Sequence, residues 1–340
     1  MMILRLAPDI TQEQRLHIDA WLRDRGTVPR VLRETDPQVW VLEPAPERCR
    51  PEEIRRLPGV DSVEGKDTAL LAGRVDPSPA PLFIGGREVG GRDLLLAAGP
   101  CAVEGDEQAD RCAEAVRSSG GTVLRGGAFK PRTSPYSFQG LGREGLMIQR
   151  RAADRHGLLV LSEVLDRQDI PLVAEYADIL QVGTRNMQNF PLLRSLGKQE
   201  RPVLLKRGFA ATRDELLLAA EYILIGGNDR VILCERGVRC FDPTLRYTLD
   251  LASVCILKET THLPILVDPS HATGRRDLVA PMARAAVAAG ADGLLVEIHP
   301  SPETALSDGP QALAPEELRP LAQTISALAE VVGRSLEVPP

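Results

Sequence analysis

The stretch Pro264–His299, PILVDPSHATGRRDLVAPMARAAVAAGADGLLVEIH, contains one complete structural period. Its first apolar run, Pro264–Val267, stops at Asp268, with His271 three residues further on. The segment GRRDLVAPMARAAVAAG then repeats apolar residues at helical spacing and ends in glycine, the residue that most readily closes a helix. A second apolar run, Asp292–Val296, ends in Glu297. Short apolar runs on either side of a helix predict a β-α-β crossover, with strands buried on both faces of a parallel sheet.

Working outward, the same unit recurs. Apolar runs fall at Leu94–Ala98, Thr122–Arg125, Leu158–Ser162, Asp178–Val182, Pro202–Leu205 and Val231–Cys234. Helical segments lie between them, among them TRDELLLAAEYILIGG, which also ends in glycine. Eight strands alternating with helices over roughly 250 residues predict a (β/α)8 TIM barrel. An open doubly wound sheet is the main rival, but the G-x-G-x-x-G turn it often carries is missing after the first strand. The preceding PLFIGGREVGG reads as a short hairpin that closes the bottom of the barrel.

A different rhythm precedes residue 73. Met2–Leu6 reads as a strand and Thr11 as the cap of a helix running to about Arg25. Val28–Arg33 and Val39–Leu42 read as strands, Pro51 opens a second helix, and Val60–Val63 is a last strand. The order β-α-β-β-α-β is the ferredoxin-like pattern. The expected division is therefore a ferredoxin-like domain over 1–72, a proline-rich linker over 73–81, and a barrel over 82–340. Nothing in the small domain looks catalytic, and His17 reads as a surface residue.

Composition narrows the class. The 340 residues are 43% hydrophobic and 26% charged, an ordinary globular balance. No apolar run is long enough to span a membrane, and MMILRLAPDI turns acidic too soon for a secretory signal. The six cysteines form no C-x-x-C pair, which predicts a reducing, cytoplasmic setting with mostly buried thiols. A net charge of −6 argues against nucleic acid or anionic membrane as a partner. Only five of the 41 basic residues are lysines, so a lysine in an unusual place draws notice as a compact charge and proton donor.

Working residues of such barrels sit where strands end. Those positions hold Cys101, then Arg125 with Lys130 and Arg132, then Glu163, Arg185, Lys206, Arg236, Asp268 with His271, and Glu297. An acidic protein thus places six cations at one rim, which suits a ligand carrying phosphate and carboxylate groups. Cys101, His271, Glu297 and an aspartate in the loop after the eighth strand form a candidate metal set that only barrel closure would assemble. Thiolate, imidazole and carboxylate together suit manganese, iron, cobalt or zinc. His299 competes with Glu297, because alternate residues of a strand share a face.

The segments GPCAVEG, LRGGAFKPRTSPYSFQGLG, QVGTRNMQNFPLL, PVLLKRG, DPSHATGRRD and VEIHPSPETALSDGPQAL resemble those of 3-deoxy-D-arabino-heptulosonate 7-phosphate (DAHP) synthases. The resemblance covers roughly residues 80–335 and points to the bacterial type with a ferredoxin-like regulatory domain. It implies condensation of phosphoenolpyruvate with erythrose 4-phosphate, the first step of the shikimate pathway. It places metal ligands at Cys101, His271, Glu297 and Asp308, and catalytic roles at Lys130, Glu163 and His271. Phosphoenolpyruvate contacts fall on Arg125, Lys130, Glu163, Arg185, Lys206 and Arg236. Erythrose phosphate falls to Arg132 and Thr133, with Asp308 near its hydroxyls. The resemblance further implies tyrosine or phenylalanine as effector, a homotetramer, and room for a separate chorismate mutase as partner.

Three rivals follow from the same residues. The 3-deoxy-D-manno-octulosonate 8-phosphate synthases share fold and enol chemistry, but resemble KANRS where this chain reads KPRTS. A Schiff-base aldolase would use Lys206 and leave the metal set without a role. A catalytically silent binding barrel would have been favoured had a ligand position been lost. Two departures from the family pattern, Ala272–Thr273 after His271 and Arg143 after the second strand, are expected near the mouth.

Overall fold

The computed structural model describes residues 2–33, 36–43, 50–65, 71–73 and 81–339. Cys49, Lys66 and most of the expected linker lie outside the described residues. The chain divides into two compact units, Met1–Leu70 and Leu71–Pro340.

In the first unit, β1 (Met2–Leu6), β2 (Pro29–Arg33), β3 (Asp36–Leu42) and β4 (Val60–Gly65) form an antiparallel sheet in the order β2-β3-β1-β4. That order, with helices Gln12–Asp24 and Pro51–Arg55 in the two crossovers, is ferredoxin-like. Thr11 caps the first helix through a reciprocal pair with Gln14, which satisfies two otherwise orphaned backbone donors. Leu4, Leu6 and Leu42 from the sheet pack against Ile18, Leu22 and Ile54 from the helices.

The second unit begins with the predicted hairpin, β5 (Leu82–Ile84) and β6 (Arg87–Val89). Eight parallel strands then close into a barrel: β7 (Leu95–Gly99), β8 (Val123–Arg125), β9 (Leu159–Glu163), β10 (Ile179–Val182), β11 (Val203–Lys206), β12 (Val231–Glu235), β13 (Ile265–Val267) and β14 (Gly293–Glu297). Every residue of β7, β12 and β14 is buried, which is why the sequence shows continuous apolar runs rather than alternation. Ile84 and Val89 of the hairpin join the core formed by Leu95, Leu161, Leu204 and Leu266, plugging the end opposite the strand C-termini. Truncating a fully buried leucine here, such as Leu204, would cost about 2–5 kcal/mol.

Two features of the barrel unit are not apparent in the sequence. The second compact unit begins at Leu71. The backbone amides of Leu71 and Ala72 donate to the Glu221 carboxylate at 2.6 and 2.7 Å, and Thr261 Oγ1 donates to Ala72 O, tying these residues to the barrel. A short turn also precedes the helix expected after β13. This five-residue turn, Pro269–Thr273, ends at Gly274 in the left-handed region, and the long helix Arg276–Ala288 follows. At the top of β7, Gly99 has φ +152°, and a Cβ there would lie 2.0 Å from Arg125 O. Only glycine lets β7 and β8 meet so closely, two residues before Cys101.

Candidate active site and metal centre

The C-terminal ends of the strands surround a cavity of about 300 Å³. Its lining includes Arg125, Lys130, Arg132, Arg185, Lys206 and Arg236, the six cations expected at the rim. Thr133, Glu163, His271 and Asp308 also face it. Cys101 and Glu297 do not line the cavity; they lie buried beside it, 4% and 1% exposed. Neither Arg143 nor Ala272–Thr273 lines it. Arg143 lies beside Glu175 and Tyr176 instead, and Ala272 and Thr273 are buried.

One ligand atom from each of Cys101, His271, Glu297 and Asp308 lies within 4.8 Å of all the others. His271 Nε2 stands 3.5 Å from Glu297 Oε2 and 3.7 Å from Asp308 Oδ2, and Cys101 Sγ donates to Asp308 Oδ2 at 3.2 Å. Donors around a single ion at about 2.0–2.3 Å are spaced in this range. The residues fit a cation on chemical grounds too. Glu297 Oε1 is buried with no hydrogen-bond partner among the described residues. Burial pushes the His271 imidazole below its ordinary pKa against the pull of Asp268 and Glu297, favouring the neutral form that ligates metals. Burial also lifts the Cys101 thiol to about 12, with Lys130 pulling it down and Glu297 and Asp308 pushing it up, so a cation bound here would favour the thiolate.

The short Pro269–Thr273 turn explains how His271 is aimed. Asp268 caps it by accepting from the His271 backbone N–H at 2.9 Å, and its Oδ2 lies 2.7 Å from His271 Nδ1. Nε2 is thereby turned toward the donor cluster, the carboxylate–histidine arrangement common beside metals. The same Oδ2 accepts from Lys206 Nζ at 2.5 Å. Lys130 Nζ reaches Cys101 Sγ and Cys101 O, both at 3.0 Å. Burial works against its charge, but Cys101 and Glu163 outweigh it and raise its pKa, so the ammonium is retained. His299 settles differently: its Nε2 faces Glu104 Oε2 at 3.3 Å, leaving Glu297 as the carboxylate of the cluster.

Several contributors escaped the sequence reading. Arg246 lines the cavity and bonds Asp308 Oδ1 at 3.0 Å. Phe209 and Tyr247 stack with ring centroids 5.3 Å apart, and Arg236 sits 4.1 Å over Tyr247 while Arg185 lies 5.6 Å over Phe209. This aromatic platform holds two guanidinium groups without neutralising them. A Cβ at Gly183 would fall 1.9 Å from Glu163 Oε1, so a larger residue there would displace that carboxylate. Arg246, Phe209 and Tyr247 end no strand, and no spacing rule links them.

Residues 81–333 match the sequence profile of the DAHP synthetase I family. The chain belongs to that family. A phospho-2-dehydro-3-deoxyheptonate aldolase of Thermotoga maritima is 52% identical over 268 residues, 79% of each chain. A 2-dehydro-3-deoxyphosphooctonate aldolase of Geobacter sulfurreducens is 33% identical over 270 residues, covering 74% of this chain and 98% of that protein. Among solved structures, the Thermotoga maritima DAHP synthase matches with a TM-score of 0.77 at 43% identity over 99% of both chains. A truncated form of that enzyme matches with a TM-score of 0.74 at 47% identity, covering 78% of this chain and 98% of the truncated one. Family membership extends the barrel assignment to the chemistry of its upper face.

Proposed function

We propose that the chain condenses phosphoenolpyruvate with D-erythrose 4-phosphate and water, yielding 3-deoxy-D-arabino-heptulosonate 7-phosphate and inorganic phosphate. The observation that carries this reading is the four-donor cluster directly beside a cavity lined by cations. Phosphoenolpyruvate has a carboxylate and a phosphate, and Arg125, Arg185, Lys206 and Arg236 supply the matching forks and point charges. Buried Nε groups of Arg125 and Arg236 have no protein acceptor among the described residues, as expected of donors reserved for a ligand. Arg132 and Thr133 are assigned to the phosphate of the four-carbon sugar.

Carbon three of the enol ester attacks the aldehyde carbon, forming the new carbon–carbon bond. A divalent ion held by Cys101, His271, Glu297 and Asp308 would supply Lewis acidity to the aldehyde oxygen. Lys130, protonated and 3.0 Å from Cys101 Sγ, is placed to deliver the proton that this oxygen requires. Glu163 and Lys206 orient the water that adds to carbon two, with Glu163 taking its proton. The resulting hemiketal phosphate expels inorganic phosphate by carbon–oxygen cleavage. Positioning and electrostatics supply most of the acceleration.

The heptonate relative is more similar than the octonate relatives, 52% against 31–34% identity, which favours the four-carbon sugar. A silent binding barrel is disfavoured by the complete donor set. Phosphate release from phosphoenolpyruvate should require erythrose 4-phosphate, stop after chelation, and return with manganese. Release with arabinose 5-phosphate instead would transfer the assignment to octulosonate synthesis. No release with either sugar would leave a binding role.

The reading extends to tyrosine or phenylalanine acting through the ferredoxin-like unit, to a homotetramer, and to a cytoplasmic setting. Its support is the resemblance in architecture across 99% of the Thermotoga chain. No helix among the described residues is long and apolar enough to cross a membrane.

A further inference from the structure

We propose that Arg246 and Gln311 form a bracket that orients the two carboxylate donors, Glu297 and Asp308, and thereby sets the affinity of the metal site. Gln311 is 2% exposed, and both ends of its amide are committed. Its Nε2 donates to Glu297 Oε2, and its Oε1 accepts from Arg246 Nη1 at 2.9 Å. The same Nη1 donates to Asp308 Oδ1 at 3.0 Å. The chain of bonds runs without a gap from one carboxylate through amide and guanidinium to the other. A guanidinium can only donate and a carboxylate can only accept, so the amide has one workable orientation.

The bracket divides the oxygens of Asp308. Oδ1 is held by Arg246, while Oδ2 faces Cys101 Sγ and His271 Nε2. Asp308 thus offers a single oxygen toward the cluster and is prevented from turning both toward an ion. Asp308 is also the one non-glycine residue with positive φ among the described residues, at 54°. Such a conformation costs about 1–3 kcal/mol and persists where surrounding contacts impose it. The turn Gly309–Gln311 begins immediately after it and brings Gln311 back beside Glu297. Arg246 comes from a distant loop, 62 residues earlier in the chain, so the bracket also ties that loop to the site.

Arg246 and Gln311 are positioning residues. Partners of this kind commonly alter metal affinity about 10–100-fold when removed. The inference rests on reading Cys101, His271, Glu297 and Asp308 as the metal site, and its test separates the two. Cobalt affinity of the full chain is measured by competition with a chromophoric chelator, alongside the visible and thiolate charge-transfer spectrum, for native protein, Gln311→Met, Arg246→Met and the double variant. Each single variant should bind cobalt about tenfold or more weakly with an altered spectrum, and the double variant should lose less than the product of the single losses. Arg246→Met carries the test if the buried Gln311→Met fails to fold, since Arg246 is partly exposed. Folded variants that bind cobalt within twofold of native protein and keep its spectrum would overturn the bracket alone, as would strictly multiplicative losses. Native protein that binds no cobalt, or a Cys101→Ser variant with an unchanged spectrum, would overturn the metal site and the bracket together.

Discussion

Replacing Asp268 with asparagine tests the joint between the substrate cavity and the donor cluster. Asp268 is fully buried and accepts from Lys206 Nζ at 2.5 Å and the His271 amide at 2.9 Å, while its Oδ2 also stands 2.7 Å from His271 Nδ1. Lys206 is 4% exposed, so the substitution strands a buried ammonium. Breaking a buried pair from one side costs about 3–5 kcal/mol. Asparagine retains an acceptor for the His271 amide, which places the loss near the lower end, at about 3 kcal/mol. For a unit of this size each kcal/mol is about 2–4 °C, so the metal-free variant should melt roughly 6–12 °C below native protein. Scanning calorimetry in chelator measures this without the metal. Adding phosphoenolpyruvate should narrow the gap, because an anion in the cavity supplies the counter-charge that Lys206 has lost. With metal present, affinity should fall about 10–100-fold as His271 loses the partner that aims Nε2. A metal-free variant melting within 2 °C of native protein, with metal affinity unchanged, would refute the joint.

Other perturbations separate the parts of the site. Removing metal with a chelator should abolish phosphate release and lower the melting temperature; restoring an ion at a thousand times its Kd should return about 4 kcal/mol, measured by calorimetry. Arg132→Met should raise KM for erythrose 4-phosphate tenfold or more and leave KM for phosphoenolpyruvate within twofold, as judged by steady-state phosphate release. Asp250, which accepts from Arg207 and Ser253, has its carboxyl held below the ordinary value because those hydrogen bonds outweigh burial. Its contribution is therefore present above the unfolded value of 3.8 and lost as pH falls through the lower folded one, so the melting gap between native protein and Asp250→Asn should close only in acid. A chain starting at Leu71 should fold and keep its activity while losing any response to tyrosine or phenylalanine. Starting at residue 76 should instead destabilise the barrel, because the Leu71 and Ala72 bonds to Glu221 are gone.

The difference between what the sequence displays and what it conceals follows from the range of the interactions. Barrel strands are legible because each is buried on both faces, so Val231–Cys234 or Gly293–Val296 must be written as an apolar run wherever its neighbours lie. The charged or metal-ligating residue near the end of almost every run is equally visible, since a rim position is defined by the end of its own strand. Partnership is different. Lys206 reads in sequence as one of six rim cations and Asp268 as a separate rim carboxylate, and nothing local shows that the two, 62 residues apart, form a buried pair. Arg246 and Gln311 are separated by 65 residues and belong to loops, where no periodicity marks a side chain as inward or outward. His271 lies between the two cases. Its position after β13 is local, but its aim depends on a five-residue turn that the sequence reading did not identify. Gly274, read as part of the following helix, is the left-handed stop that separates the two. The local code therefore delivers the donors to the rim, while contacts across the barrel determine which atom of each donor faces inward. Substitutions that preserve every strand and every ligand can for that reason still disable the centre, and Gln311→Met is the most direct example, because it changes neither a ligand nor a residue lining the cavity.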